Sequence, residues 1–236
     1  MSKKINYTQV VDNTWANQRQ RSSWHYDYDR KDPDFKTIMQ IRGTWTECMN
    51  DFERWMPAGY NFHGDLNGFK GKKSLEYMSE KARAGWSDQT QYYHTTQTFP
   101  PVIERMRDLI TNYLEIEEPY ARCHKQLPGH QVPVHVDTFE SYPGREKYPY
   151  LDLSQVIRVA VALSDWDLGH IWQIGNTPWI QWKAGDVIYS DMINLPHWTA
   201  NCGGTPRYTM LVMGIAGPNT MDIIRNNDVQ NITLDF

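Results

Sequence analysis

Cysteine is scarce in this chain. There are three in 236 residues, Cys48, Cys123 and Cys202, odd in number, far apart and without a CxxC pair. That excludes a disulfide framework and a cysteine-type zinc site, and it predicts reduced thiols in a cytoplasmic protein. Long apolar runs are also missing, so no membrane span is expected where one needs about 20 residues. The opening MSKKINYTQV lacks the apolar h-region of a signal peptide. Positive charge is not in excess: 24 Lys and Arg face 28 Asp and Glu, a formal charge of −4. Composition therefore gives no general attraction to nucleic acid. There is no internal repeat and no low-complexity segment. The Gly-rich stretch GYNFHGDLNGFKGKK lacks the spacing of a phosphate loop and carries no nucleotide role.

What the chain has in quantity is aromatic surface. Aromatics are 13% of the residues and ten of them are Trp, most of which suit a core rather than a cleft. The length fits one domain with room for a helical layer beside a sheet. Residues 1–34 read as a polar and aromatic arm that packs through Trp15, Trp24 and Tyr26 or frays. Phe35, Ile38, Met39, Ile41, Trp45, Met49 and Phe52 recur at roughly helical spacing and predict a helix over 35–56. A short helix is expected over 74–84. Pro100-Pro101 opens the clearest helix, whose stripe Val102, Ile103, Met106, Leu109, Ile110, Tyr113 and Leu114 predicts a helix lying across a sheet. After residue 118 the texture changes to short extended segments separated by Pro, Gly, Asn and Asp. Strands are expected at 120–126, 133–137, 156–163, 170–174, 179–182, 186–190 and 207–214. With no long helix between them, they point to an α+β chain with a jelly-roll core. The expected divisions are 1–117, an arm and supporting helices; 118–216, the jelly roll; and 217–236, a C-terminal tail, together one structural domain.

Chemistry concentrates in the second half. His135 and Asp137 stand two apart, and on a strand residues i and i+2 share a face. An imidazole and a carboxylate are thus set side by side without any special loop. His197, in Leu195-Pro196-His197-Trp198, supplies a second imidazole from elsewhere in the chain. Two His and one carboxylate with open positions match the non-haem Fe(II) pattern, although Zn, Mn or Co can take the same ligands. His124, His130 and His170 complete no such pattern and read as packed or hydrogen-bonded, with His170 the one nearest to a cleft role.

Arg207, ten residues after His197, turns a metal site into a cosubstrate site. It shares a strand face with Thr209, and a guanidinium fork plus a hydroxyl can anchor the distal carboxylate of a keto diacid such as 2-oxoglutarate. In VIRVAVAL, Ile157, Val159, Val161 and Leu163 form a bulky face. Arg158, Ala160 and Ala162 form a small one, a hollow in which Arg158 can approach the chelating end of the keto acid. The segment 138–155 reads as a lid loop. Tyr142, Arg145, Trp172 and Trp198 are the candidate substrate contacts.

These residues resemble the double-stranded β-helix (cupin-like) superfamily of Fe(II)- and 2-oxoglutarate-dependent oxygenases, with its His-x-Asp/Glu, distal His and Arg-x-Ser/Thr. The string from Leu127-Pro128-Gly129 through His135 to the Arg158 strand is similar to the aspartyl/asparaginyl β-hydroxylase-like branch. So is its continuation through Trp182-Lys183-Ala184-Gly185-Asp186, His197, Asn201 and Pro206-Arg207. The resemblance covers about residues 122–214. The chain departs from it in having Val159-Ala160 after Arg158, where the branch often has Arg-x-His. It also has Asp137, which some members of the branch lack and which halogenases of the superfamily vacate. The resemblance implies a hydroxylase whose metal ligands are His135, Asp137 and His197 and whose cosubstrates are 2-oxoglutarate and O2. Its substrate would be an amino acid or a peptide or protein side chain, small molecule or polymer, and its co-products succinate and CO2. Two other readings are an oxygenase of a nucleobase or nucleic acid, and a cupin-like metal-binding protein without turnover.

Overall fold

A computed structural model describes residues 31–49, 92–94, 99–137 and 142–236, together with Asp27, Asp29 and Phe139. The expected arm contacts of Trp15, Trp24 and Tyr26 and the helix at 74–84 lie outside the described residues. The elements are β1 (Lys36–Arg42), β2 (Tyr92–His94), α1 (Pro101–Leu114), β3 (Ile116–Gln126), β4 (Gln131–His135), α2 (Gly144–Lys147) and β5 (Val156–Ala162). They continue with β6 (His170–Ile174), β7 (Thr177–Trp179), β8 (Asp186–Tyr189), β9 (His197–Asn201), β10 (Arg207–Ala216), α3 (Thr220–Asn226) and β11 (Gln230–Thr233).

The described strands form two sheets. One has the order β11-β1-β8-β5-β10-β3-β2, the other β4-β9-β6-β7. From β3 onward the chain alternates between them: β3 in the large sheet, β4 in the small, β5 large, β6 and β7 small, β8 large, β9 small, β10 large. That alternation is a double-stranded β-helix, the cupin-like jelly roll, with a helix against the large sheet.

Period-two alternation on two central strands divides the interior. On β10, Tyr208, Met210 and Val212 face the helix side, and on β5 so do Ile157, Val159 and Val161. There they meet Val102, Ile103, Met106, Ile110 and Leu114 of α1 in one buried cluster. The opposite face carries Leu211, Ala160 and Ala162, which pack with Trp172, Ile174, Trp179 and Trp182 from the small-sheet side. The small residues of β5 therefore face the space between the sheets, where they leave room for the bulky indoles.

The helix expected over 35–56 is not formed at its start. Lys36–Arg42 is a strand between β8 and β11, and Thr44–Cys48 is a 3-10 turn. A β-bulge between Thr37 and Met39 explains the misreading. It buries the adjacent Ile38 and Met39 and then Ile41, so that with Trp45 the apolar positions imitate a helical repeat. The final twenty residues add α3 and β11, which pairs parallel to β1.

Gly185 locks the turn into β8. Its N–H donates to the Ala162 carbonyl (2.7 Å) and its own carbonyl accepts from Ile41 (2.8 Å). Its φ is +84°, and a Cβ there would stand 1.8 Å from the Ile41 oxygen. Gly185→Ala is expected to cost about 3 kcal/mol or more, the range of mutations that combine backbone strain with a steric clash. Differential scanning calorimetry should show a melting temperature lower by roughly 6–12 °C.

Candidate metal centre

β4 and β9 are antiparallel neighbours, and their register sets His135 directly opposite His197. The two imidazole centroids lie 4.3 Å apart. Asp137 follows the end of β4, where its N–H donates to the Met192 carbonyl at 2.8 Å. That bond ties the segment to the loop after β8. One nitrogen or oxygen from each of His135, Asp137 and His197 can be chosen so that all lie within 4.8 Å of one another. Among the described residues, this is the group of three or more His, Cys, Asp or Glu that clusters in this way.

Backbone carbonyls orient both rings. His135 Nδ1 is 2.8 Å from the Pro133 oxygen and His197 Nδ1 is 3.0 Å from the Leu195 oxygen. In each case the partner is the carbonyl two residues upstream. A carbonyl can only accept, so both Nδ1 atoms carry the proton and both Nε2 atoms present a lone pair. Each Nε2 is 3.8 Å from Asp137 Oδ1. The other carboxylate oxygen, Oδ2, accepts from Arg158 Nη1. The acid is thus divided: Oδ2 is held by a cation, and Oδ1 faces the imidazoles.

Protonation states suit metal ligation. Burial, and then the neighbouring His197, pushes His135 down to about 3. Burial lowers His197 as well. For Asp137, burial alone pushes upward, but Arg158 and the two histidines outweigh it and hold the carboxyl below its usual range. Two neutral imidazoles and one carboxylate are the forms a divalent metal requires.

The expected cosubstrate anchors lie between the sheets. Arg207 and Thr209 are both buried, at 2% exposure each, on the inner face of β10. Arg207 Nη1 donates to the Ile171 carbonyl at 3.0 Å. Its guanidinium carbon lies 5.6 Å from the centre of the Trp172 ring and 6.0 Å from that of Trp182. Its Nε is buried without an acceptor among the described residues, and no carboxylate among them lies within ion-pairing distance. Burial pulls its pKa down to about 9, leaving it charged at neutral pH. A buried cation without an anion is costly, so the inner face of β10 suits an anionic ligand.

Arg158, expected near the chelating end of a keto acid, is seated against Asp137, with its guanidinium carbon 4.8 Å from the centre of the Phe139 ring. Arg158→Ala should release Oδ2 and let the carboxylate turn. The loss of such an outer partner is expected to weaken Mn(II) affinity roughly 10- to 100-fold in calorimetric titration.

The remaining candidates scatter. Tyr142 is buried, and its hydroxyl donates to the Glu118 carbonyl at 2.6 Å. Arg145 falls in α2, and its side chain lies outside the described residues. Trp172 faces the space between the sheets. Trp198 is partly exposed, and strand alternation turns it to the face opposite His197. His170 is buried, with Nε2 3.0 Å from the Thr205 carbonyl and Nδ1 accepting from Asp167 N–H.

Four contributors escaped the sequence reading. The carbonyls of Pro133, Leu195 and Met192 have no side-chain signature at all. Asn201, named there only as part of a family string, is fully buried and bonds the carbonyls of Gln126 and Thr205. It thereby braces the loop that leads to Arg207.

β5 and β8 part company beside Arg158. Their pairing runs only from Val161–Val187 to Val159–Tyr189. Beyond it opens a cleft of about 390 Å³, lined in part by Arg158, Phe139, Met192 and Ile193. That is the size of a small-molecule site. Among the described residues no helix is long and apolar enough to cross a membrane. The three cysteines are free thiols.

No family model and no curated protein matches this chain. Solved structures do resemble it. A prolyl-4-hydroxylase from Pseudomonas putida is 9% identical, with 78% of this chain and 93% of that one covered and a TM-score of 0.48. The non-heme alpha ketoglutarate dependent carbocyclase SnoK from nogalamycin biosynthesis is 13% identical over 54% and 64%, with a TM-score of 0.40. A Cupin 2 conserved barrel domain protein from Salinispora arenicola is 12% identical over 56% and 80%, with a TM-score of 0.30. At these identities the likeness is one of chain path alone.

Proposed function

We propose that this protein is an Fe(II)- and 2-oxoglutarate-dependent oxygenase that hydroxylates a C–H bond of an amino acid or of a peptide or protein side chain. The carrying observation is one pairing of features. His135, Asp137 and His197 converge with metal-ready protonation, and Arg207 lies buried on the inner face without a counter-ion among the described residues. A metal alone would answer the triad but leave Arg207 uncompensated. A keto diacid answers both, with its chelating end on the metal and its distal carboxylate on Arg207 and Thr209.

The donor set fits Fe(II) as a facial triad of two His and one carboxylate. Bound there with 2-oxoglutarate and O2, iron supplies the oxidative decarboxylation to succinate and CO2 that is coupled to hydroxylation. The protein does the rest. Pro133 and Leu195 fix the imidazole tautomers. Arg158 holds Oδ2, so Asp137 would offer Oδ1 to a bound metal. Ala160, Ala162 and the Trp cluster make the space between the sheets apolar. The cleft beside Arg158 receives the substrate. The aspartyl/asparaginyl β-hydroxylase-like branch is the finer reading, supported by the string that ends in Pro206-Arg207.

The test is succinate release from 2-oxoglutarate by the Fe(II)-loaded protein without added substrate, followed by calorimetric binding of 2-oxoglutarate to the Mn(II) form. Slow uncoupled succinate formation and saturable binding are expected. Metal binding with neither would leave a cupin-like metal protein without turnover.

A further inference from the structure

Among the described residues, buried and half-buried indoles are not treated alike. Trp45 Nε1 donates to the Ile41 carbonyl (3.2 Å), Trp166 Nε1 to His170 (2.7 Å) and Trp182 Nε1 to Ser164 (3.1 Å). Trp172 is only 4% exposed, yet its Nε1–H meets no acceptor among the described residues. Buried indole donors ordinarily find a partner. Leaving one unpaired costs about 1–3 kcal/mol by the usual measure of a lost acceptor.

The exception stands beside the other anomaly of the interior. Trp172 lies on β6 directly after Ile171, whose carbonyl holds Arg207 Nη1, and its ring is 5.6 Å from the Arg207 guanidinium carbon. Arg207 Nε is the second unpaired buried donor of this pair. Two buried donors without acceptors among the described residues thus belong to side chains in contact, on the strands β6 and β10. A water can accept from both but leaves the cation uncompensated. A carboxylate has two oxygens and about four acceptor positions, and can answer both while neutralising the cation.

We infer that the Trp172 indole N–H is a positioning donor for the distal carboxylate of the keto acid, completing a clamp with Arg207 and Thr209. This rests on the cosubstrate reading above. The indole also gives the clamp selectivity, because a keto acid with a neutral tail offers Nε1–H no charged acceptor.

Trp172→Phe keeps an aromatic ring in place and removes only the N–H and one ring. Binding of 2-oxoglutarate and of 2-oxopentanoate, which has the same chain without the distal carboxylate, is measured by calorimetry on the Zn(II)-loaded protein. The variant is expected to bind 2-oxoglutarate at least about tenfold more weakly, as for a lost bond to a charged acceptor. Its affinity for 2-oxopentanoate should not change. Equal weakening toward both acids would show a packing role and overturn the inference, as would no weakening toward 2-oxoglutarate. A second readout needs no stable variant. In 15N-labelled wild-type protein, the Trp172 indole resonance should move on adding 2-oxoglutarate and stay on adding 2-oxopentanoate, and a resonance unmoved by either identifies a water as its partner. If the wild type binds neither acid, the cosubstrate reading itself falls, and that is distinguishable from a wild type and variant that bind 2-oxoglutarate equally.

Discussion

His197→Ala should abolish specific metal binding. In the wild type, Mn(II) at about a hundred times its dissociation constant is expected to stabilise the fold by about 2.7 kcal/mol. For a chain of this size that raises the melting temperature by roughly 5–11 °C. The variant should show no such rise, and calorimetry should give an affinity lower by more than the roughly 10–100-fold typical of outer-shell partners. The reason lies in the geometry. His197 Nε2 and His135 Nε2 stand at the same 3.8 Å from Asp137 Oδ1, so removing one imidazole leaves a two-ligand site that holds a divalent ion poorly. His170→Ala is the control: that ring is buried and bonded to Thr205 and Asp167, away from the triad. It should lower stability and keep the metal-induced rise. If His197→Ala kept the full rise, the ion would be bound elsewhere and the proposed centre would be wrong.

Arg207→Met separates a clamp from a structural cation. If Arg207 serves the keto acid, its loss should weaken 2-oxoglutarate binding by a factor of 100 or more, the measure of a buried charged hydrogen-bonding partner removed. Mn(II) affinity should hold, because no atom of Arg207 bonds the triad. Stability carries the opposite sign from that of an ordinary core mutation. Arg207 is a buried cation with one backbone acceptor, Ile171, and no carboxylate among the described residues. Replacing such a charge with a flexible apolar chain of similar length is often neutral or stabilising. The melting temperature should therefore hold or rise while cosubstrate affinity collapses, the usual trade between function and stability. A variant that melts well below the wild type and still binds 2-oxoglutarate would make Arg207 a packing residue.

Local pattern made much of this fold legible. The stripe from Val102 to Leu114 predicted a helix across a sheet, and α1 lies on the large sheet as expected. Six expected strands overlap β3 to β6, β8 and β10, whereas the one expected at 179–182 meets β7 only at Trp179. The alternation of bulky and small residues on β5 correctly separated a helix-facing side from a hollow one. Failures occurred where period and tertiary pairing disagree. Lys36–Arg42 carries a bulge, so its buried positions imitate a helix. β9 and β11 are short strands whose identity comes from the neighbours they pair with, β4 and β6 for one and β1 for the other. His135, Asp137, His197, Arg207 and Thr209 could be singled out by residue type and spacing. The tautomers of the two histidines could not, because they depend on carbonyls whose placement no side chain announces.

By itself, then, the sequence determined the class of fold, the donor types and the face of β10 on which a cation would lie, since these follow from periods of two and 3.6 along the chain. Only tertiary structure decided that His135 lies opposite His197, that Arg158 grips Asp137, and that Trp172 stands beside Arg207, with Trp172 Nε1 and Arg207 Nε lacking acceptors among the described residues. Those are matters of strand register between segments from about 20 to more than 60 residues apart. A shift of one residue would turn each side chain to the other face of its sheet.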